Sequence, residues 1–232
     1  PDWSKVPKRQ IEVFSPGVTP IEWMMSKSDH SGRTDTSKGE SGAGCHEEKG
    51  ALNFDFKRLA SKELEPVGAP KTIKFPVAMQ AAYDKENLYL RLSFKSPADA
   101  AAGADREDKS PKHEVKAAIM LAGPKVEMGE QIGCWATCHK DVRSMPGADP
   151  KKKKYVKDAN VAGGNYMDYF QWKSGEGGSG ATQLDGHVAG ERVNKGGQAL
   201  VSAEGECKAG VCTVTFTRKL TGGEADLALA EG

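Results

Sequence analysis

Residues 88–95 read LYLRLSFK, and the run alternates without a break. Leu88, Leu90, Leu92 and Phe94 fall on one side; Tyr89, Arg91, Ser93 and Lys95 fall on the other. A period of two is the mark of a strand with one buried face, and it excludes a helix over the same residues. The same pattern recurs. KTIKFPVAMQAAY precedes this run across the turn-like DKEN, so 71–95 is predicted to be a hairpin. HEVKAAIML places Val115, Ala117, Ile119 and Leu121 on one face, and VCTVTFTRKL does the same with Cys212, Val214 and Phe216. IEVFSPG near the start reads as another strand, and DFKRLASKEL at 55–64 is the best short helix. Strands joined by long connections predict a mainly β fold, an antiparallel β-sandwich with long loops and short helices.

Two stretches break the pattern. Residues 26–70 and 123–200 carry no sustained strand signal and are expected to be loop insertions of a single domain spanning 1–232. Loops that long in a compact domain are usually functional. Hydrophobic residues make up 38% of the chain, beside 27 glycines and 12 prolines, so loops and a buried cofactor are expected to supply part of the interior. Net charge is +1, which gives a nucleic-acid role no bulk support. Lys151 to Lys154 form a basic run, either a solvated loop or a docking point for an acidic partner. No run reaches the roughly 18 apolar residues of a membrane span, and a start at Pro1 without methionine suggests a processed or trimmed N-terminus.

The chemistry lies in the cysteines and histidines, five of each. GCWATCHKD sets Cys134 four residues before Cys138, with His139 directly after. A c-type haem clamp is normally Cys-x-x-Cys-His. Two thiols add to the haem vinyl groups, and the adjacent imidazole is held beneath the iron. The Cys–His adjacency is indispensable to that geometry, whereas the first cysteine can move by one residue if the loop bulges. A chance occurrence or a disulfide loop is the alternative. GESGAGCHEEKG repeats the adjacency at Cys45 and His46, but Gly42 stands where a first cysteine would be, which leaves one thioether. Zinc is a rival for Cys–His chemistry, but its ligands commonly come as paired clusters, and each pair here is isolated. Glu47 and Glu48 beside His46 read as solvated charges.

An electron-carrying haem commonly takes a second iron ligand, often His or Met. His30 lies sixteen residues before His46 in the same polar insertion and is assigned opposite it. Met128 lies eleven residues before His139 and is assigned to the second iron, with an ordinary packed methionine as its alternative. His113, His187 and Met145 compete for these distal positions. Trp135, Tyr166, Tyr169, Phe170 and Trp172 are candidates to pack on porphyrin, or are plain core aromatics. Cys207 and Cys212 flank a predicted hairpin turn, which can bring their Cα atoms within the roughly 4.4–6.8 Å expected of a disulfide. A disulfide implies an oxidising compartment; two free thiols are the alternative.

PDWSKVPKRQIEVFSPGVTPIEWM with DHSG, then VAMQAAYDKENLYLRLSF, GCWATCHKDVRSMPGA and YMDYFQWKSGEG, together span residues 1–173. This combination resembles the haem-binding domain of the ethylbenzene dehydrogenase and dimethyl sulfide dehydrogenase γ-subunit family, and more closely its c-type branch. The resemblance implies a β-sandwich with haem held by loops at its end, and periplasmic electron transfer. In the enzyme-associated members it implies haem b held by a Met and a Lys. Met128 would take the methionine role, His139 replaces the lysine, and Gly42 departs from a full clamp.

The reading that follows is a periplasmic di-haem c-type cytochrome, with two haem c groups, relaying electrons between a redox donor and an acceptor. Two protein ligands on each iron leave no open position for a substrate, and there is no trustworthy Ser-His-Asp grouping, phosphate loop or paired-carboxylate motif. The expectation is therefore an electron-transfer protein, with no catalytic residues, no nucleic acid and no membrane span, and with a homodimer left open. Two other classes compete: a haem protein with an open iron position for small-ligand sensing or catalysis, and a carbohydrate-type binding module.

Overall fold

The computed structural model describes residues 1–14, 74–95, 115–126, 156, 158–175 and 180–230. Among the described residues, nine strands form two antiparallel sheets in a sandwich-like arrangement. The first sheet takes β1 (Arg9–Phe14), β2 (Lys74–Tyr83), β3 (Asn87–Lys95), β8 (Leu200–Lys208) and β9 (Val211–Lys219) in the order β1-β2-β3-β9-β8. The second takes β4 (Lys116–Ala122), β5 (Met167–Lys173), β6 (Thr182–Val188) and β7 (Arg192–Val193) in the order β4-β5-β6-β7. No helix occurs among the described residues, and the helix expected at 55–64 lies outside them.

The alternating runs form strands as expected. In β3 the inward Leu90 and Leu92 are buried, and β2 sets Val77 beside them. Val214 and Phe216 of β9 continue that layer, and Ala117, Phe170 and Trp172 of the second sheet close over it. Phe170 and Phe216 meet edge to face, with ring centroids 5.2 Å apart. Pro76, which has no N–H for a ladder, lies where β2 pairs with β1 alone, beyond the last β2–β3 pair. On the outer face of the first sheet, the Gln80 amide donates to the carbonyls of Trp3 (2.8 Å) and Val6 (2.7 Å).

The second sheet corrects the sequence reading. β5, β6 and β7 all fall within 123–200, which was expected to be loop. The physical reason is burial on both faces. Six of the seven residues of MDYFQWK in β5 are buried, so it shows no alternation. Its outer face packs Met167 with Val126, Val156 and Val188, a small core separate from the one between the sheets. The hairpin 207–212 turns through Ala209 (φ 51°) and Gly210 (φ 79°). Positive φ at both central residues is the two-residue hairpin geometry that matches strand twist.

Candidate functional site

Cys45, His46, His30, His113, Met128, Cys134, Cys138, His139 and Met145 lie outside the described residues. The strand ends that flank them are described, and they sort by direction. β1 ends at Phe14 paired with Lys74, where β2 begins, and Phe94 near the end of β3 pairs with Cys212. The stretches 15–73 and 96–114 therefore both depart from the end of the sheets that carries the 207–212 hairpin. The stretch between Val126 and Val156 departs from the opposite end. There the Gly123 N–H donates to the Tyr166 carbonyl at 2.9 Å and the Val156 N–H to the Ala189 carbonyl at 3.0 Å. The described residues that flank 15–73 and 96–114 thus lie at one end of the sheets, and those that flank 127–155 at the other.

His187 is described. It lies on β6 opposite Asp168, half-buried, with its ring edge-on to Tyr166 at 6.3 Å. Its Nδ1 is buried without a hydrogen-bond partner among the described residues. Its place is at the Val126–Val156 end, so among the distal candidates it neighbours the root of the Cys138-His139 segment. Of the aromatics considered for porphyrin packing, Phe170 and Trp172 belong instead to the core between the sheets. Tyr166 and Tyr169 are buried too.

Cys207 and Cys212 are joined in a disulfide, with Cα atoms 4.0 Å apart. They face each other one pair beyond the Lys208–Val211 pair that closes the turn. That is the close-spaced, non-hydrogen-bonded kind of cross-strand pair, which brings side chains together. Nearby, Trp172 lies against Gly205, where an added Cβ would fall 2.5 Å from the indole.

The opposite end holds a polar cluster that the sequence reading did not single out. Asp168 on β5 and Arg218 on β9 are almost wholly enclosed and form an ion pair across the two sheets. The Arg218 Nη2 also donates to the Leu227 carbonyl (2.6 Å), and its Nη1 to the Lys219 carbonyl (2.8 Å). Asp185 on β6 and Asp226 in the segment after β9 complete the group. Each carboxylate accepts backbone N–H groups at Oδ2: Leu227 for Asp168 (3.0 Å), Leu200 for Asp185 (2.8 Å), Gln198 (2.8 Å) and Gly223 for Asp226. Burial pushes the Asp168 and Asp185 carboxyls up from the ordinary 3.8, and the Leu227 and Leu200 N–H groups oppose that rise. Burial also raises the Tyr166 phenol, helped by the charges of Asp168 and Asp226. Two signals for this cluster were present in the sequence. Arg218 continues the inward parity of Cys212, Val214 and Phe216, and Asp168 interrupts an apolar and aromatic run.

Two antiparallel sheets packed in a sandwich-like arrangement define the class of this chain as a mainly β domain. The chain belongs to the Ethylbenzene dehydrogenase family, whose sequence model matches residues 1–219. That membership bears out the resemblance read from the sequence. Similar proteins include cytochrome c-552 of Stutzerimonas stutzeri, 47% identical over 235 residues that cover 100% of this chain and 77% of that protein. Another is cytochrome c-551 of Rhodocyclus tenuis, 42% identical over 222 residues that cover 96% of this chain and 80% of that protein.

Proposed function

We propose that this chain is a c-type cytochrome that carries electrons in the periplasm and holds two haems. The observation that carries the reading is the Cys–His adjacency at two positions, Cys45-His46 and Cys138-His139, in a chain similar over its whole length to a protein named cytochrome c-552. The donor set fits haem c: a thiol for each vinyl to be captured and an imidazole immediately beside it for the iron. Cys134 and Cys138 would hold one haem through two thioethers with His139 on the iron. Cys45 would hold the other through one thioether with His46 on the iron. Bound haem supplies one-electron chemistry; the chain supplies ligands, enclosure and potential.

Met128 is the distal ligand proposed for His139's iron, with His187 and Met145 as rivals. His30 is proposed for His46's iron, with His113 as the rival. The described strand ends are in keeping with this division, since those flanking 15–73 and 96–114 share one end of the sheets, and His187 lies at the end that flanks 127–155. With both iron positions filled by protein there is no place for a substrate, so the partners are a redox donor and an acceptor. The Cys207–Cys212 disulfide supports an oxidising compartment.

Intact-mass measurement together with a pyridine haemochrome spectrum tests the reading on protein from a host able to mature c-type cytochromes. The expected result is a polypeptide carrying two haems, with the absorption band of the Cys45 haem displaced because one vinyl group survives. An unmodified polypeptide mass overturns it. A high-spin, carbon-monoxide-sensitive haem replaces the relay with ligand chemistry.

A further inference from the structure

We propose that Asp168, Asp185 and Asp226 bind one divalent cation of the calcium class at the end of the sandwich opposite the disulfide. One oxygen from each of the three carboxylates lies within 4.8 Å of the others, which is the spacing of a shared ion. Acidic neighbours alone would carry little weight. The telling feature is the buried Oδ1 atoms. Asp168 is 0% exposed and Asp226 7%, yet the Oδ1 of each, like that of Asp185, has no hydrogen-bond partner among the described residues. A buried polar atom without a partner is costly, and natural structures contain few.

The oxygens also converge. A Cβ built on Gly197 would fall 2.2 Å from the Asp185 Oδ1 and 2.6 Å from the Asp226 Oδ1, so the glycine leaves free the space that both oxygens face. The Oδ2 atoms are held by backbone N–H groups and, for Asp168, by Arg218, which fixes each carboxylate and leaves its other oxygen available for an ion. Charge points the same way. Three carboxylates against one guanidinium leave two negative charges in an enclosed site, and one divalent cation neutralises them. An all-oxygen donor set selects a hard cation rather than zinc or copper. Calcium accepts six to eight oxygens in flexible geometry, so water must complete the shell. Asp185, the most exposed of the three residues, marks the side from which an ion would enter.

The test uses the full, haem-loaded chain, stripped with EGTA and exchanged into metal-free buffer near neutral pH. Equilibrium dialysis against calcium is expected to give one bound ion per chain. The melting temperature is expected to rise by roughly 5–10 °C at a hundredfold excess over the dissociation constant. Asp185→Asn removes a ligand charge at the half-exposed position and is expected to weaken calcium binding at least tenfold while leaving the haem spectrum unchanged. If that variant fails to fold, the dialysis stoichiometry of the unaltered chain decides. No bound calcium, or a stabilisation reproduced by sodium chloride at matched ionic strength, overturns the proposal.

Discussion

One strand, β9, carries the closures of both ends of this domain. Cys212 stands near its start and Arg218 near its finish, about 20 Å apart at strand rise. At the Cys212 end the closure is local and covalent. The disulfide links residues five apart, and Trp172 packs closely against Gly205 near it. At the Arg218 end the closure is distant and electrostatic. Arg218 meets Asp168 fifty positions away, and the Leu227 N–H reaches Asp168 across fifty-nine. The first closure tightens a hairpin that its own turn already specifies. The second gathers β5, β6, β9 and the segment after it into one place, so it reports on whether the two sheets have come together correctly.

The largest expected effect follows from that difference. Arg218→Met leaves Asp168 enclosed without its cation and unties the carbonyls of Lys219 and Leu227. Breaking a buried pair by removing one partner costs about 3–5 kcal/mol, because the stranded charge cannot return to water. Urea unfolding is expected to show a loss of that size. The double variant Arg218→Met with Asp168→Leu is expected to recover part of it, since an apolar pair of similar volume strands no charge. A single variant as stable as the parent would break the comparison by showing that the polar end holds nothing together.

The disulfide gives the middle effect. Chain entropy over so short a loop predicts about 2 kcal/mol for the link between Cys207 and Cys212. The paired change Cys207→Ser with Cys212→Ser is expected to lower stability by about that amount while leaving haem content unaltered. Its cost is expected to be the same with calcium or with EGTA. A loss equal to that of Arg218→Met would mean that the hairpin, rather than the contact between sheets, limits stability.

Much of the first sheet is legible in the sequence because its strands keep one face polar. Leu90 and Leu92 alternate with Tyr89 and Arg91, and the hairpin at 84–87 follows from its turn residues. The second sheet is less legible. β5 hides both faces, and β6 carries Asp185, Gly186 and His187 in place of an apolar stripe, so neither shows the expected period. The polar cluster was half legible. The parity of Arg218 and the intrusion of Asp168 in YMDYFQW can each be read locally, but their meeting depends on how the sheets face each other, which no local pattern records. Asp226 follows a glycine pair with no periodicity at all. The Cys–His motifs are the reverse case, plain in the sequence because adjacency along the chain is itself the chemistry.

The smallest effect separates surface charge from enclosed charge at the same end of the domain. Asp84, in the β2–β3 turn, is exposed; its Oδ2 accepts the Tyr89 hydroxyl at 2.7 Å, and its Oδ1 accepts the N–H groups of Glu86 and Asn87, both at 2.8 Å. The Tyr89 bond first, then those backbone donors, hold its carboxyl below the ordinary 3.8, the opposite direction from Asp168. A carboxyl lowered on folding contributes stability that is present above 3.8 and is lost as pH falls through the lowered value. Asp84→Asn keeps an acceptor at the turn and removes the titrating group, so it is expected to lower stability slightly near neutrality and to flatten the acid limb by the same amount. Urea midpoints of parent and variant at about pH 5 and about pH 3 measure this, and the gap between them is expected to narrow at the lower value. A gap that fails to narrow on acidification would mean that the Asp84 carboxylate contributes nothing to the acid response of this end.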